Sequence, residues 1–403
     1  MAKSFNTLPA NISGNPSPFT LHVPNEALAE FTQLLRLSPI GPKTWWNQDT
    51  TGKVGVSREW LTAAKETWLS TKFNWRTHED YTNSFPNFKV PIMDPEAGTV
   101  DIHFAALFSQ RADAIPIIFL HGYPGSFMEF LPMLEILAKR YTPETLPYHV
   151  IVPSLPDYAL SGGASENVEM TLDRAARIMN QLMLDLGFGS GYVAQGGDLG
   201  SMLVRIMAVQ YDACKAFHVN MLVLNPDQKP GSIDELTERE KEHMDRSNKW
   251  QQTGFAYALE HGTRPSTIGL AISSSPLALL AWIGEKHLEW SDPRYPIPLD
   301  TILAMTTLYW FTSTFPRALY HAELVKNVLA GKPHPISKEK PLGYSLFPHD
   351  LVVLPQAWAT EIYPNLVAYR THDKGGHFGA LEQPKEFLED VEEFVEKVKG
   401  VLE

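Results

Sequence analysis

"GYVAQGGDLGSMLVRIMAVQY" (residues 191–211) reads as a strand, a tight turn and a helix. Tyr192–Gln195 is a short, mostly apolar run ending at Gly196-Gly197, and from Leu199 onward apolar residues recur at helical spacing. The turn itself is G-x-D-x-G, with Asp198 at its centre. A serine in that place would make a nucleophile elbow, the sharp turn that exposes a reactive side chain at the end of a strand. Asp next to Gly is also common in ordinary turns, so the strand before and the helix after carry the reading.

The same alternation runs outward in both directions. "TVDIHFAAL", "IPIIFLHG", "HVIVPSLP" and "FHVNMLVL" read as strands, and "FMEFLPMLEILAKR" and "EMTLDRAARIMNQLMLDLG" as amphipathic helices. This predicts an α/β fold with a mainly parallel sheet covered on both faces. The alternation stops near Asn225-Pro226, and a largely helical stretch follows, with "DELTEREKEHMDR" and "TTLYWFTSTFPRALY". It resumes with "LGYSLFPHD" and "VAYRTHDKGGHF" and ends on the helix "PKEFLEDVEEFVEKVKGVLE". The expected division is an N-terminal wrapping segment with little strand signal (1–95), a first part of the core (96–227), a helical lid (228–322) and a second part of the core (323–403). Ligands of open α/β sheets bind at the carboxyl ends of the strands, so the lid is expected to cover that edge.

Composition narrows the partners. With 34 Lys and Arg against 46 Asp and Glu, the 403-residue chain has a formal net charge of −12, which argues against nucleic acid and anionic membrane. One cysteine, Cys214, excludes an internal disulfide framework. The first residues lack the apolar core of a signal peptide, and "SSSP" interrupts the longest uncharged run, Pro265–Gly284, which reads as loop, N-cap serine and helix. A cytoplasmic, soluble protein is expected.

Chemistry gathers at the expected strand ends. "FLHGYPGS" follows the run "IPIIF"; Gly122 beside the Tyr123-Pro124 bond makes an irregular loop with free amides. In hydrolases of this layout such a loop supplies one oxyanion donor and the residue after the nucleophile the other, here Tyr123 N–H and Leu199 N–H. His121 is read as a packed, structural histidine. An acid and a histidine should follow the nucleophile in that order. Asp350 stands after "GYSLF", and His377 in the glycine-rich loop after "VAYR". The spacing of His372, Asp373 and His377 is not a recognised metal pattern, and no metal is expected.

An aspartate nucleophile suits an sp³ carbon rather than an acyl carbon. It displaces a leaving group in line and becomes an alkyl ester, which water cleaves at the enzyme's own carbonyl. The leaving group is then halide or epoxide oxygen. A halide needs indole or amide N–H donors, and an epoxide oxygen an acid such as a phenol. Tyr257 and Tyr320 in the lid are candidates, although spacing alone does not choose them over Tyr309.

Together, "HGYPGS", "GGDLGS", the stretches around Tyr257 and Tyr320, "FPHD" and "GGHFGALEQP" resemble the microsomal-type epoxide hydrolases, especially their soluble microbial members. "FNWRTHEDYTNSFPNFKVPI" is similar to that family's N-terminal domain. The resemblance implies an α/β-hydrolase core, Asp198 as nucleophile, His377 as base, Asp350 as its acid partner, and Tyr257 and Tyr320 as the pair that activates the epoxide oxygen. It also implies no cofactor, an apolar epoxide and water as the small-molecule partners, and often a homodimer. The membrane-spanning N-terminus of mammalian members is not seen here. "SLPDYALSGG" departs from the glycine-containing run that relatives carry at this loop, which bears on pocket shape. Two other readings are a haloalkane dehalogenase using the same Asp198, and a silent scaffold that binds a small apolar ligand.

Overall fold

The computed structural model describes residues 2–225, 228 and 231–402; Pro226 and Asp227, where the core was expected to give way to the lid, lie outside them. The strands are β1 (Ser17–Pro18), β2 (Asn87–Asp94), β3 (Gly98–Leu107), β4 (Ile115–Leu120), β5 (Tyr148–Pro153), β6 (Tyr192–Gly196), β7 (Cys214–Val219), β8 (Leu342–Leu346) and β9 (Leu366–Thr371). They form one sheet in the order β1-β2-β3-β5-β4-β6-β7-β8-β9. From β5 to β9 every pairing is parallel, and β1 to β3 add an antiparallel edge.

Successive residues of the central strands feed opposite faces, as the two-residue period of a strand requires. Ile118 and Leu120 of β4 and Ala194 of β6 join one buried cluster; Ile117, Phe119 and Val193 join the other. The first cluster includes Leu182 and Leu203 from the helices Leu172–Asp185 and Asp198–Gln210, the second Leu134 and Val391 from Leu131–Arg140 and Pro384–Val398. The helices lie where the apolar periodicity placed them, and both faces are covered.

Three expectations need correction. The N-terminal segment does not only wrap; β2 lies within it. Phe88, Val90 and Ile92 are buried while Pro91 and Met93 face out, a clear alternation that Pro91 had masked. β7 begins at Cys214, earlier than expected, and ends at Val219. Met221 and Leu222 beyond it are buried, and Leu222 packs in the first cluster without sheet pairing, so their apolar character is a packing signal. Residues 265–272 are the helix Pro265–Ile272 instead of loop, while Ser275 does cap the next helix, Pro276–Glu289, accepting from Leu277 N–H and Ala278 N–H. These two helices meet at 114°, and no single helix among the described residues is long and apolar enough to cross a membrane.

Between β7 and β8 the described chain is helical from Glu238 to Leu329 apart from short connections. The last helix, Ala322–Leu329, begins at the expected lid–core boundary. The chain passes from β4 to β5 on one side and to β6 on the other, so strand order reverses between β4 and β6. The crevice outside their carboxyl ends is the switch point where such sheets bind ligands.

Candidate active site

Asp198 sits at that crevice. Its φ is +47°, a left-handed conformation that non-glycine residues seldom adopt and that surrounding contacts must enforce. The contacts are close on both sides: a Cβ on Gly200 would lie 2.1 Å from the Leu120 carbonyl oxygen, and one on Gly122 2.3 Å from Oδ1 of the Asp198 side chain itself. Only glycine at both places lets the loop after β4 close on the elbow. The result is a carboxylate facing two amides. Tyr123 N–H donates to Asp198 Oδ1 at 2.7 Å, and Leu199 N–H also lowers the carboxyl's proton affinity.

The expected acid and histidine arrive from β8 and β9. His377 Nδ1 pairs with Asp350 Oδ1 at 2.7 Å, and His377 Nε2 lies 3.4 Å from Asp198 Oδ2. Asp350 and His377 are buried, whereas the Asp198 side chain keeps 21% of its surface accessible, enough for a reactant to reach it. Burial pulls the His377 imidazolium down, but Asp350 and Asp198 outweigh it and push the pKa up to about 10. Burial pushes Asp198 up, yet His377 and the two amides hold it below the usual carboxylate range, which keeps it ionised. Burial prevails at Asp350, whose pKa is raised.

His121 lies outside this triad. Nε2 accepts Leu155 N–H at 3.1 Å, Nδ1 lies 3.0 Å from Gly122 O, and burial pulls its pKa to about 4. It is a neutral brace between two loops. His372 points away to pair with Asp390 at 2.7 Å, and Asp373 pairs with Arg239.

The two tyrosines are placed less directly. The Tyr257 ring stacks on that of Tyr123 at 6.0 Å and lies 5.2 Å from that of Trp290. Burial, then the Asp198 charge, raises its pKa well above the ordinary phenol value. Tyr320 is buried against Tyr158, with ring centres 5.8 Å apart, and its hydroxyl has no hydrogen-bond partner among the described residues. Burial and then Asp157, not Asp198, raise its pKa. Both are protonated donors at neutral pH. The Asp198 charge acts on the Tyr257 phenol, and the Asp157 charge on that of Tyr320.

Two contributors were not singled out by the sequence. Glu382 accepts N–H bonds from Asp292, Gly376 and Phe378 at 2.8–3.1 Å and so shapes the loop that carries His377. Trp290 accepts His377 N–H through its carbonyl at 2.9 Å and sets its ring edge-on to the imidazole, 5.2 Å away. Glu382 lies within the quoted "GGHFGALEQP". Trp290 carries no local signal, because its contact joins residues distant in sequence.

Residues 16–130 match the family described as epoxide hydrolase N terminus, and residues 115–289 that described as alpha/beta hydrolase fold. The solved structure of Aspergillus niger epoxide hydrolase superposes with a TM-score of 0.91 at 48% identity, over 98% of this chain and 100% of that one. A Dothistroma septosporum protein, provisionally named an epoxide hydrolase, is 46% identical over 99% of this chain and 94% of its own. Epoxide hydrolase 1 of Sus scrofa is 29% identical over 96% and 89%. With an aspartate on its elbow and these relatives along its whole length, the chain belongs to the epoxide hydrolase family.

Proposed function

We propose that the protein converts an apolar aryl or alkyl epoxide and water to a vicinal diol through an ester on Asp198. The observation that carries this reading is the Asp198 carboxyl, held by an amide and reachable, with His377 and its acid partner behind it. Asp198 attacks a ring carbon, the carbon–oxygen bond breaks, and the alkoxide takes a proton from a lid phenol, Tyr257 or Tyr320. His377 then takes a proton from water as the oxygen adds to Asp198 Cγ. The amides of Tyr123 and Leu199 stabilise the resulting oxyanion. The intermediate collapses, the departing diol oxygen takes the proton back from His377, and the new Asp198 acid proton returns to the phenolate. Esterification removes the Asp198 charge, one of the groups that raise the pKa of His377, so the resting imidazolium releases its proton to solvent before it serves as base and regains one when the Asp198 charge returns. Tyr123 lines the cavity at Asp198 and the Tyr257 ring stacks on it, an aromatic setting that favours an apolar substrate over a charged one.

The test is one turnover of styrene oxide with excess enzyme in ¹⁸O-water, followed by mass spectrometry of the peptide that contains Asp198. Unlabelled diol with ¹⁸O in that peptide is expected. Labelled diol with no label in Asp198 means that water attacks the ring directly and overturns the reading. Halide release from haloalkanes is expected to be absent. Sedimentation reads the homodimer that belongs to the same proposal.

A further inference from the structure

Ser126 and Glu129, four and seven residues past Gly122, make a capping box at the short helical turn Phe127–Phe130. Ser126 N–H donates to Glu129 Oε1 at 2.9 Å. A capping box engages one oxygen and ordinarily lies at the surface. Here the side chain is buried, and Oε2 has no partner among the described residues. A cavity of about 20 Å³ opens beside it, lined also by Asp198, His377, Asn220 and Gly122. A Cβ on Gly125 would lie 1.6 Å from Glu129 Oε1, so the loop leaves room for this carboxyl. A buried carboxyl without a cation is expensive unless it stays protonated or gains another partner, and burial raises this one to about 8.

One water needs roughly 10–15 Å³ and two to four polar partners. The cavity meets both needs, and it touches the carboxyl that becomes the ester and the imidazole that acts as base. We propose that Glu129 is a positioning residue for the hydrolytic water, with its Oε2–H donating to the water oxygen while His377 Nε2 takes one of the water's hydrogens, so that the other oxygen lone pair faces Asp198 Cγ. Glu129 forms no bond to carbon and holds no proton of the reaction. This rests on the ester reading of Asp198.

The half-reactions separate the two ideas. In stopped-flow single turnovers, Glu129→Ala is expected to alkylate Asp198 within about twofold of the parent while ester hydrolysis slows by up to about 10²-fold, the scale of a misplaced reactant. The ester then accumulates and is seen by mass spectrometry of the quenched protein. Glu129→Gln, which keeps the cap through its oxygen and an N–H donor in the place of Oε2–H, is expected to recover most of the hydrolysis rate. If both half-reactions fall together, or if Gln is no better than Ala, Glu129 acts only by holding the loop and the proposal is overturned. His377→Gln is the control that traps the ester. If no ester forms in that variant either, the Asp198 reading fails and takes this one with it.

Discussion

The core side and the lid side of the site are held by different forces. On the core side, Asp198 is fixed by a left-handed backbone, an amide at 2.7 Å and glycines that admit no side chain. On the lid side, Tyr257 and Tyr320 are held by ring packing at 5–6 Å, and the Tyr320 hydroxyl makes no hydrogen bond among the described residues. Backbone sterics tolerate no exchange, whereas aromatic packing tolerates many. A reaction that needs a fixed nucleophile and an adaptable pocket is served by that division, since substrates of different shape must meet the same carboxylate.

The largest effect therefore belongs to the core side. Asp198→Ala is expected to remove turnover by on the order of 10⁶-fold, the loss seen when a nucleophile is deleted from a catalytic unit. The change leaves folding intact, as thermal unfolding can verify. Residual diol formation within 10²-fold of the parent, roughly the scale left by removal of one hydrogen-bond donor, would break the comparison.

His377→Gln comes next. A drop of about 10²–10⁴-fold in turnover is expected, with the ester accumulating, because alkylation needs no base. The same variant tests the electrostatics. The folded pKa of His377, about 10, lies above the ordinary histidine value of about 6.5, so protonation of this group favours the fold. That stabilisation is complete below about pH 6.5 and is lost as pH rises toward 10. The parent's melting temperature is expected to fall between pH 7 and 10 more steeply than that of His377→Gln. Parallel curves would place the imidazole outside the field of the two carboxylates.

This asymmetry explains what the sequence made legible. The elbow, the amide loop and the order Asp198, Asp350, His377 could be read because each rests on a local pattern: glycines bracketing an aspartate, and chemistry at the end of an apolar run. The parallel sheet and its helices were legible for the same reason. β2 was obscured by a proline on its outward face, and the end of β7 by apolar residues that pack instead of pairing. On the lid side, one tyrosine has the same local signature as another. Tyr309, left open by spacing, donates to Gly125 O at 2.8 Å and is thereby engaged in holding a loop, a contact joining residues 184 apart that no local pattern contains. The choice of Tyr257 and Tyr320 rested on family resemblance.

Tyr257→Phe is expected to slow alkylation by about 10²-fold, comparable to removal of one preorganised donor, with ester hydrolysis unchanged in the same stopped-flow trace. Tyr320→Phe should have the smaller kinetic effect, since its phenol responds to Asp157 and not to Asp198. A loss at Tyr320 equal to that at Tyr257 would mean that both phenols share the proton transfer to the alkoxide.

The smallest effect is on stability, and Tyr320 supplies it. Its buried hydroxyl lacks a partner, and an unsatisfied buried polar group costs about 1–3 kcal/mol. Removing that oxygen leaves the ring contact with Tyr158 intact. Tyr320→Phe is therefore expected to raise the unfolding free energy by on the order of 1 kcal/mol in urea titrations, even as alkylation slows. Tyr257→Phe is expected to show no such gain, because its hydroxyl is not among the buried groups left without a partner in the described residues. Opposite signs in stability and rate at a single oxygen are the signature of a donor kept unpaired for a reactant. If Tyr320→Phe instead destabilises the fold, the hydroxyl has a structural partner and its assignment as an acid falls.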